Sequence, residues 1–557
     1  MRWLFLLIVS LLLMGGVVQA GAAASIVEFC PDPWLHDDMD EYLVLSGTGS
    51  LDGITVSDGE GGFRFPPNTG INGTLTIARS GPAFLQSHGK LPDFEWLDYS
   101  PAVPNVINGD PLRLANSGDE LLLYENGNLI QRVAWPQDVK PREGQVHYLE
   151  KGVWDPRPLL IGQSRFTAET FRNVTVTTFV SPDCSSDMFT SAVNQALDEI
   201  LLNVYEFSSP AMADSLIAAR ERGVDVKVLV EGGPVGGISP EEKSAIWKMN
   251  SGGIPVFEMA APEGGHAPYR YDHAKYLVID RRAVLLTSEN FKYNGFPPAG
   301  FNGNRGWGVY LEDPALAEYF SSVYQTDYGG PSVTPIRGSA GNFEPVPAGK
   351  HAVEFTPAHF FNATVRPVLS PDTSGQIMDL VQSARTSIEI EQAYITNETP
   401  YTLNPYLSAA INASRHGVHV RVLLDSYWYN TEDEKDNDEM AALITRIGTT
   451  EQIPLEARCA DLAAGNLEKI HNKGVIVDGQ RVLVSSINWN SNSPNFNREA
   501  GVIIDHPGVA RYFLYVFEDD WNGTVTSTKP ATDYLRVAVA AAVILLLVLI
   551  YYRRHVR

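Results

Sequence analysis

Cysteine is almost missing from this chain: Cys30, Cys184 and Cys459 are the only three in 557 residues. They are far apart and form no Cys-x-x-Cys pair, which permits at most one disulfide and excludes a cysteine-built metal site. No His/carboxylate metal motif stands in their place, so neither a metal nor an organic cofactor is expected. Positive charge is also scarce, with 42 Lys and Arg against 66 Asp and Glu, a formal net charge of −24. That surplus repels polyanions at long range and counts against extended nucleic-acid binding, although it leaves room for a local basic pocket. At 44% hydrophobic and 19% charged residues, the chain has the composition of a globular protein. It is too long for one ordinary core, and two or three domains are expected.

Long apolar runs occur only at the two ends. "MRWLFLLIVSLLLMGGVVQAGAAAS" has one Arg, an apolar stretch and small residues around Ala20 and Ala24, the pattern of a signal peptide over residues 1–24. "RVAVAAAVILLLVLIYYRRHVR" predicts a transmembrane helix over 535–552. As a helix its apolar part, Val537 to Tyr552, is roughly 24 Å long, close to a hydrocarbon core of about 30 Å. Tyr551 and Tyr552 suit the interface, Arg536 can snorkel, and Arg553, Arg554 and Arg557 place the tail 553–557 in the cytoplasm. The expectation is a single-pass protein of the cell membrane with its bulk outside. Sequons at Asn72, Asn173, Asn362, Asn397, Asn412 and Asn522 fit an exported chain.

Between these ends the chain repeats itself. "FRNVTVTTFVSPDCS" (171–185) matches "FFNATVRPVLSPDTS" (360–374), and "RERGVDVKVLVEG" matches "SRHGVHVRVLLDS". In the second pair an amphipathic helix ends at Gly223 or Gly417 and an apolar strand follows. "HAKYLVID" from His273 then matches "HNKGVIVD" from His471, and "WGVYLEDPALAEYF" matches "AGVIIDHPGVARYF". Four landmarks in one order define two copies, 170–328 and 360–528, each alternating strands with helices in a mixed or parallel α/β sheet. A Pro- and Gly-rich linker, 329–359, joins them.

Residues 25–140 differ in texture. Short alternating strands such as "EYLVLSG" and "ELLLY" are separated by turns, and a hairpin turns at Asn126-Gly127, as expected of a small all-β sandwich. "LRLANSGDELLLYENGNLIQRVAW", after "EYLVLSG", resembles the lamin-tail domain, which implies an immunoglobulin-like sandwich with a binding or spacing role and an unassigned ligand.

The chemistry is concentrated in the duplicated motif. His273 and Lys275 alternate along one strand, so both side chains share a face, and Asp280 closes that strand at a turn. A second strand delivers Ser288 and Asn290, again two apart. The other copy supplies His471, Lys473, Asp478, Ser486 and Asn488. Packed about a pseudo-two-fold axis, two His, two Lys and two Asn converge on one pocket suited to a phosphodiester. Lys and Asn can donate to the non-bridging oxygens, with Ser288 and Ser486 beside them as substrate contacts. One imidazole can attack phosphorus while the other protonates the departing oxygen.

With these motifs the sequence resembles the phospholipase D superfamily over about 170–528. The resemblance implies two sheet-and-helix halves sharing one active site, a phosphohistidine intermediate and no catalytic metal. It implies His273 as nucleophile and His471 as general acid, then as base toward water or an alcohol. Lys275, Lys473, Asn290 and Asn488 would hold phosphate. Glu499, in "NFNREAGV", matches the acid that fixes a histidine tautomer and is assigned to His273. In the other copy Gly306, in "GNRGWGV", stands where an acid would be, which leaves His471 without an orienting partner. Asp280 and Asp478 complete the motif in a structural part.

Three functions stay open on the sequence. They are a membrane-anchored enzyme acting on phospholipid, an outward-facing nuclease of the same superfamily, and a catalytically inactive adhesion protein, against which the intact motifs count.

Overall fold

The computed structural model describes residues 24–523, apart from residues 36, 136–141, 263–264, 331, 400 and 433–435. The leader expected over 1–24, all but its last residue, and the span expected over 535–552 lie outside the described residues. Among the described residues no helix is long and apolar enough to cross a membrane.

The N-terminal module is a two-sheet β-sandwich. One sheet runs Val153–Trp154, His147–Glu150, Ala24–Cys30, Tyr42–Ser50, Gly70–Ala78, Phe94–Glu95. The other runs Ile107–Asn108, Gly62–Arg64, Ile54–Ser57, Asp119–Glu125, Asn128–Trp135. Phe29, Leu43, Leu45, Val56, Leu121, Leu123 and Trp135 fill the layer between them, the alternate residues of strands whose other faces look outward. Asn126 and Gly127 both take positive φ, 51° and 79°, as the expected hairpin turn requires. The module outruns its expected end at residue 140, because His147–Glu150 pairs with Ala24–Cys30. The three cysteines are buried and free, one in this module and one in each later half.

The two copies build one mixed sheet of fifteen strands. In the first half the order is Val256–Met259, Asp225–Glu231, Glu199–Val204, Lys275–Ile279, Ala283–Thr287, Gly306–Glu312, Phe171–Ser181. The second half repeats it in reverse from Ala358–Ser370 through Glu499–Asp505, Arg481–Ser485, Lys473–Val477, Ser387–Gln392 and His419–Leu424 to Leu455–Cys459. Phe171–Ser181 and Ala358–Ser370 pair antiparallel at the centre, where the pseudo-two-fold axis passes. The linker is not loose: Val333–Pro335 adds a fifteenth strand beside Val256–Met259, and the second half already begins at Ala358.

Local chemistry explains the repeated helices. Pro210–Glu221 starts at Ser209, whose side chain accepts from the Met212 N–H, with Pro in the first turn. It buries Met212, Ala213, Leu216 and Ala219, an i, i+4, i+7 stripe. Past its end, Gly223 takes φ 98°, a left-handed conformation that an L side chain resists. Pro405–Arg415 repeats the design with Asn404 as cap and Gly417 at φ 92°.

Two buried guanidinium groups tie the halves together. Arg305, of the first half, donates to Asp183 of its own half (2.8 Å) and to Asp520 on the last helix of the second half (2.9 Å). Arg498 does the reverse, donating to Asp372 of its own half (2.9 Å) and to Asp327 on the last helix of the first half (2.8 Å). Removing one partner of a buried pair leaves an uncompensated charge, at a cost of about 3–5 kcal/mol. Arg498→Met should lower unfolding free energy by about that amount in urea denaturation. An unchanged midpoint would show that the seam does not depend on this pair.

Candidate active site

Each histidine is delivered by one half and pinned by the other. The His273 N–H donates to the Arg498 carbonyl (2.8 Å), and the Arg498 N–H to the Tyr271 carbonyl (2.9 Å). In the same register the His471 N–H donates to the Arg305 carbonyl (2.9 Å), and the Arg305 N–H to the Lys469 carbonyl (2.8 Å). The two arginines that lock the seam therefore also carry the backbone ladder on which both imidazoles sit. Beyond each His, the apolar strand Lys275–Ile279 or Lys473–Val477 runs fully buried into the core.

A buried carboxylate stands behind each ring. His273 Nδ1 lies 2.8 Å from Glu499 Oε2. That carboxylate also accepts from Ser486 Oγ (2.6 Å) and from the Asn497 amide (3.0 Å). His471 Nδ1 lies 3.3 Å from Glu289 Oε1, an ion-pair distance without hydrogen-bond alignment. Glu289 accepts from the Asn304 amide (2.9 Å). Both lysines are fully buried, Lys275 Nζ donating to the His273 carbonyl (2.7 Å) and Lys473 Nζ to the His471 carbonyl (2.5 Å).

The profile described as "Cardiolipin synthase, PLD-like domain" matches residues 189–328 and 377–521, more than half of the chain. The chain belongs to the PLD-like domain family. Cardiolipin synthase A of Cronobacter sakazakii is 23% identical over 320 residues, covering 55% of this chain and 60% of that protein. The chain thus spans about 60% of the length of such relatives. A mitochondrial cardiolipin hydrolase of Xenopus tropicalis is 32% identical over 105 residues, 19% of this chain and 43% of that protein. Among solved structures, phosphatidylserine synthase of Haemophilus influenzae aligns with a TM-score of 0.47 at 14% identity, covering 67% of this chain and 94% of that one.

In this PLD-like domain Glu289 is the carboxylate placed behind His471, where the sequence offered no acid. It stands in Ser-Glu-Asn, between two residues already singled out, where the other copy has the buried Ile487. Its carboxylate occupies the space that a side chain at Gly306 would fill, since a Cβ there would meet Glu289 Oε1 at 2.3 Å. Glu289 lies just past the neighbouring strand Ala283–Thr287, and Gly306 leaves room for it. A signal was present, because the doublets Asn304-Arg305 and Asn497-Arg498 repeat, and each Asn holds its half's carboxylate.

Other expected site residues fall differently. Ser288 and Ser486, expected to touch substrate, are both buried: Ser288 Oγ accepts from the Trp307 N–H (3.2 Å), and Ser486 supports Glu499. Asn290, expected on phosphate, donates to Glu206 (2.7 Å), which also draws Lys292 (3.3 Å). Asn488 keeps a buried carboxamide oxygen without a hydrogen-bond partner among the described residues. Asp280 and Asp478 lie at the far ends of the motif strands, roughly 17 Å from Lys275 and Lys473 by strand rise. Asp280 accepts from the N–H groups of Leu197, Asp198 and Glu199, and Asp478 from those of Arg385, Thr386 and Ser387. In the glycine-rich loop "EGGPVGG" (231–237) the Gly233 and Val235 amides donate to Glu231 and Tyr205. Of two aromatic segments that follow the strands Ala283–Thr287 and His419–Leu424, "FKYNGFPPAGF" (291–301) has the rings of Phe291 and Phe296 in the core, whereas "DSYWYN" (425–430) has Tyr427, Trp428 and Tyr429 exposed, Trp428 by 60%.

The electrostatics of the site favour an arriving anion. Burial pushes Lys275 down to about 8, against the pull of Glu499, Glu206 and Glu289. Burial and then Lys275 push Lys473 well below its ordinary value. Burial lifts Glu289 to about 7, opposed by Lys473 and the Asn304 amide. Burial lowers His273 against Glu499, while burial together with Lys473, Lys469 and Lys275 lowers His471 further.

These directions set a pH profile. An attacking His273 must be neutral, a condition met above a pKa that lies below 6.5. A proton-donating His471 must be charged, a condition lost above a still lower pKa. The kcat/KM profile should be a bell with its maximum below about pH 6.5, its limbs belonging to the coupled pair. Bound phosphodiester offsets the lysines, so the falling limb of kcat should lie at higher pH than that of kcat/KM. A kcat/KM maximum above pH 8 would contradict this reading.

Proposed function

We propose that this protein is a membrane-anchored, outward-facing phosphodiesterase that hydrolyses or transfers phosphatidyl groups through a phosphohistidine. One observation carries the reading: two imidazoles, each backed by a buried carboxylate from the first or second half, stand with two lysines whose ammonium groups have been taken out of water. A phosphodiester offers anionic oxygens to those two groups. Glu499 accepting from His273 Nδ1–H leaves the Nε2 lone pair for phosphorus. As the Nε2–P bond forms, the bond from phosphorus to the departing oxygen breaks, and His471 gives that oxygen its proton. His471, now neutral, takes a proton from water or an alcohol, whose oxygen attacks phosphorus and breaks the Nε2–P bond. Lys275 and Lys473 balance the charge that grows on the non-bridging oxygens.

Phospholipid is favoured over nucleic acid by the names of the relatives, by the net charge of −24, and by the exposed aromatics near the site. Tyr427, Trp428 and Tyr429 follow Asp425, whose carboxylate accepts from the Ile470 N–H (2.7 Å) just before His471. Aromatic side chains of this kind suit a lipid–water interface. The apolar ends of the sequence support the anchored topology. The N-terminal sandwich, lamin-tail-like in sequence, would act as a spacer or binding module: Trp34 and Arg142 border a cleft with His266, Arg270 and Phe496.

Full-length protein should cleave phospholipid in mixed micelles, with a chelator present, and leave single-stranded DNA intact. Acid-free trapping and digestion should map the phosphoryl adduct to His273. His471→Ala should recover part of the first step on a p-nitrophenyl phosphodiester, whose leaving group needs no proton, whereas His273→Ala should not. An adduct on His471 with rescue in His273→Ala would reverse the roles, and activity of both variants on every substrate would sink the mechanism.

The topology has its own check. Protease added to intact cells should digest the chain from residue 24 to 523 and spare the tail. Protection of that whole region would overturn the outward placement.

A further inference from the structure

The pseudo-two-fold axis relates the two sides of the site, yet their walls differ in charge. The Arg305 and Arg498 ladders place Lys469 and Tyr271 in the same register, each two residues before its histidine. In extended chain, residues two apart share a face. Lys469, His471 and Lys473 therefore line one side, with Ile470 and Asn472 fully buried behind them. Tyr271, His273 and Lys275 line the other, with Asp272 and Ala274 buried behind.

The His273 side is aromatic. Tyr205 stands edge-on to His273 at 4.6 Å and to Tyr271 at 6.1 Å. By strand register the counterpart of Tyr205 is Ala393, because Val204 pairs with Lys275 as Gln392 pairs with Lys473. The His471 side thus has a small side chain where the other has a ring, and a lysine where the other has a tyrosine. Lys469 is half-buried and makes no ion pair or side-chain hydrogen bond among the described residues. Its charge is felt by His471 and Lys473, and by Glu289, Asp425 and Glu468, none of which lies within ion-pair distance.

From this asymmetry we infer that Lys469 recognises a second negative charge, such as another phosphate, on the arm of the phosphodiester that departs at His471. The arm that stays on His273 passes the aromatic wall. The inference rests on the role of His471 as the acid for the departing oxygen. In transfer, the same lysine would receive an anionic acceptor alcohol entering where the first arm left.

Two substrates sharing one phosphatidyl group test it. Phosphatidylglycerol releases neutral glycerol, whereas cardiolipin releases an arm that carries a second phosphate. Each is presented at equal surface fraction in uncharged detergent micelles. Lys469→Met in the full-length protein should lower the cardiolipin-to-phosphatidylglycerol ratio of kcat/KM about tenfold, the effect of one part-screened charge pair. Lys469→Glu should lower it further, and Lys469→Arg should keep it. Because both substrates meet the same enzyme at one pH, any change in the His471 pKa cancels from the ratio. An unchanged ratio in Lys469→Met, with both lipids cleaved, would overturn the inference and leave the phosphodiesterase reading standing. A parallel arm uses a thymidine dinucleotide with and without a terminal phosphate on the departing nucleoside. A Lys469-dependent ratio there, without lipid cleavage, would keep the anionic arm and make its source a nucleotide. Failure of the unaltered protein to cleave either class would overturn both readings.

Discussion

Arg305 and Arg498 each join three things that the site needs at once. Their guanidinium groups bind a carboxylate of their own half and a carboxylate on the last helix of the other half. Their backbone N–H and C=O groups carry the ladders that hold the opposite histidine segments. Each is followed directly by the residue that shapes its half's orienting acid, Gly306 in one case and Glu499 in the other. A shift at the seam would therefore move both imidazoles and both carboxylates together. Neither half can place its own histidine alone, and the shared site follows from this exchange.

The duplication is symmetric in backbone and asymmetric in chemistry. The two orienting carboxylates reach comparable places from different strands, and their contacts differ: Glu499 meets His273 in an aligned hydrogen bond, whereas Glu289 meets His471 at a longer ion-pair distance. Such a difference suits two imidazoles with different tasks. A nucleophile benefits from a firmly held tautomer, and a proton donor must gain and lose its proton within each turnover. In the proposed reaction a bound phosphodiester would add negative charge beside the lysines and so raise the proton affinity of His471.

Much of this was legible in the residues. The strand period placed His and Lys on one face, repeated landmarks announced two halves, and Asn126-Gly127 marked its hairpin, because these are local rules of a twofold side-chain alternation and of backbone φ. Glu499 was found through its motif. Glu289 was not, because the positional match was sought at Gly306, and only packing shows that an acid just past the adjacent strand fills that space. The contacts of Ser288, Ser486 and Asn290 were hidden for a similar reason. Their spacing put them near the site, but the competing partners that claim them, Trp307, Glu499 and Glu206, come from other strands and loops.

By itself the sequence determined the duplication, the paired motifs, the acidic composition and the apolar ends, all of which are properties of neighbours along the chain. The tertiary structure decided which half holds which histidine, which carboxylate stands behind each ring, and which side of the site is cationic. Those are relations between segments up to 226 residues apart, as between His273 and Glu499. They follow from strand register and from the burial of charge, which exist only once the two halves have closed on each other.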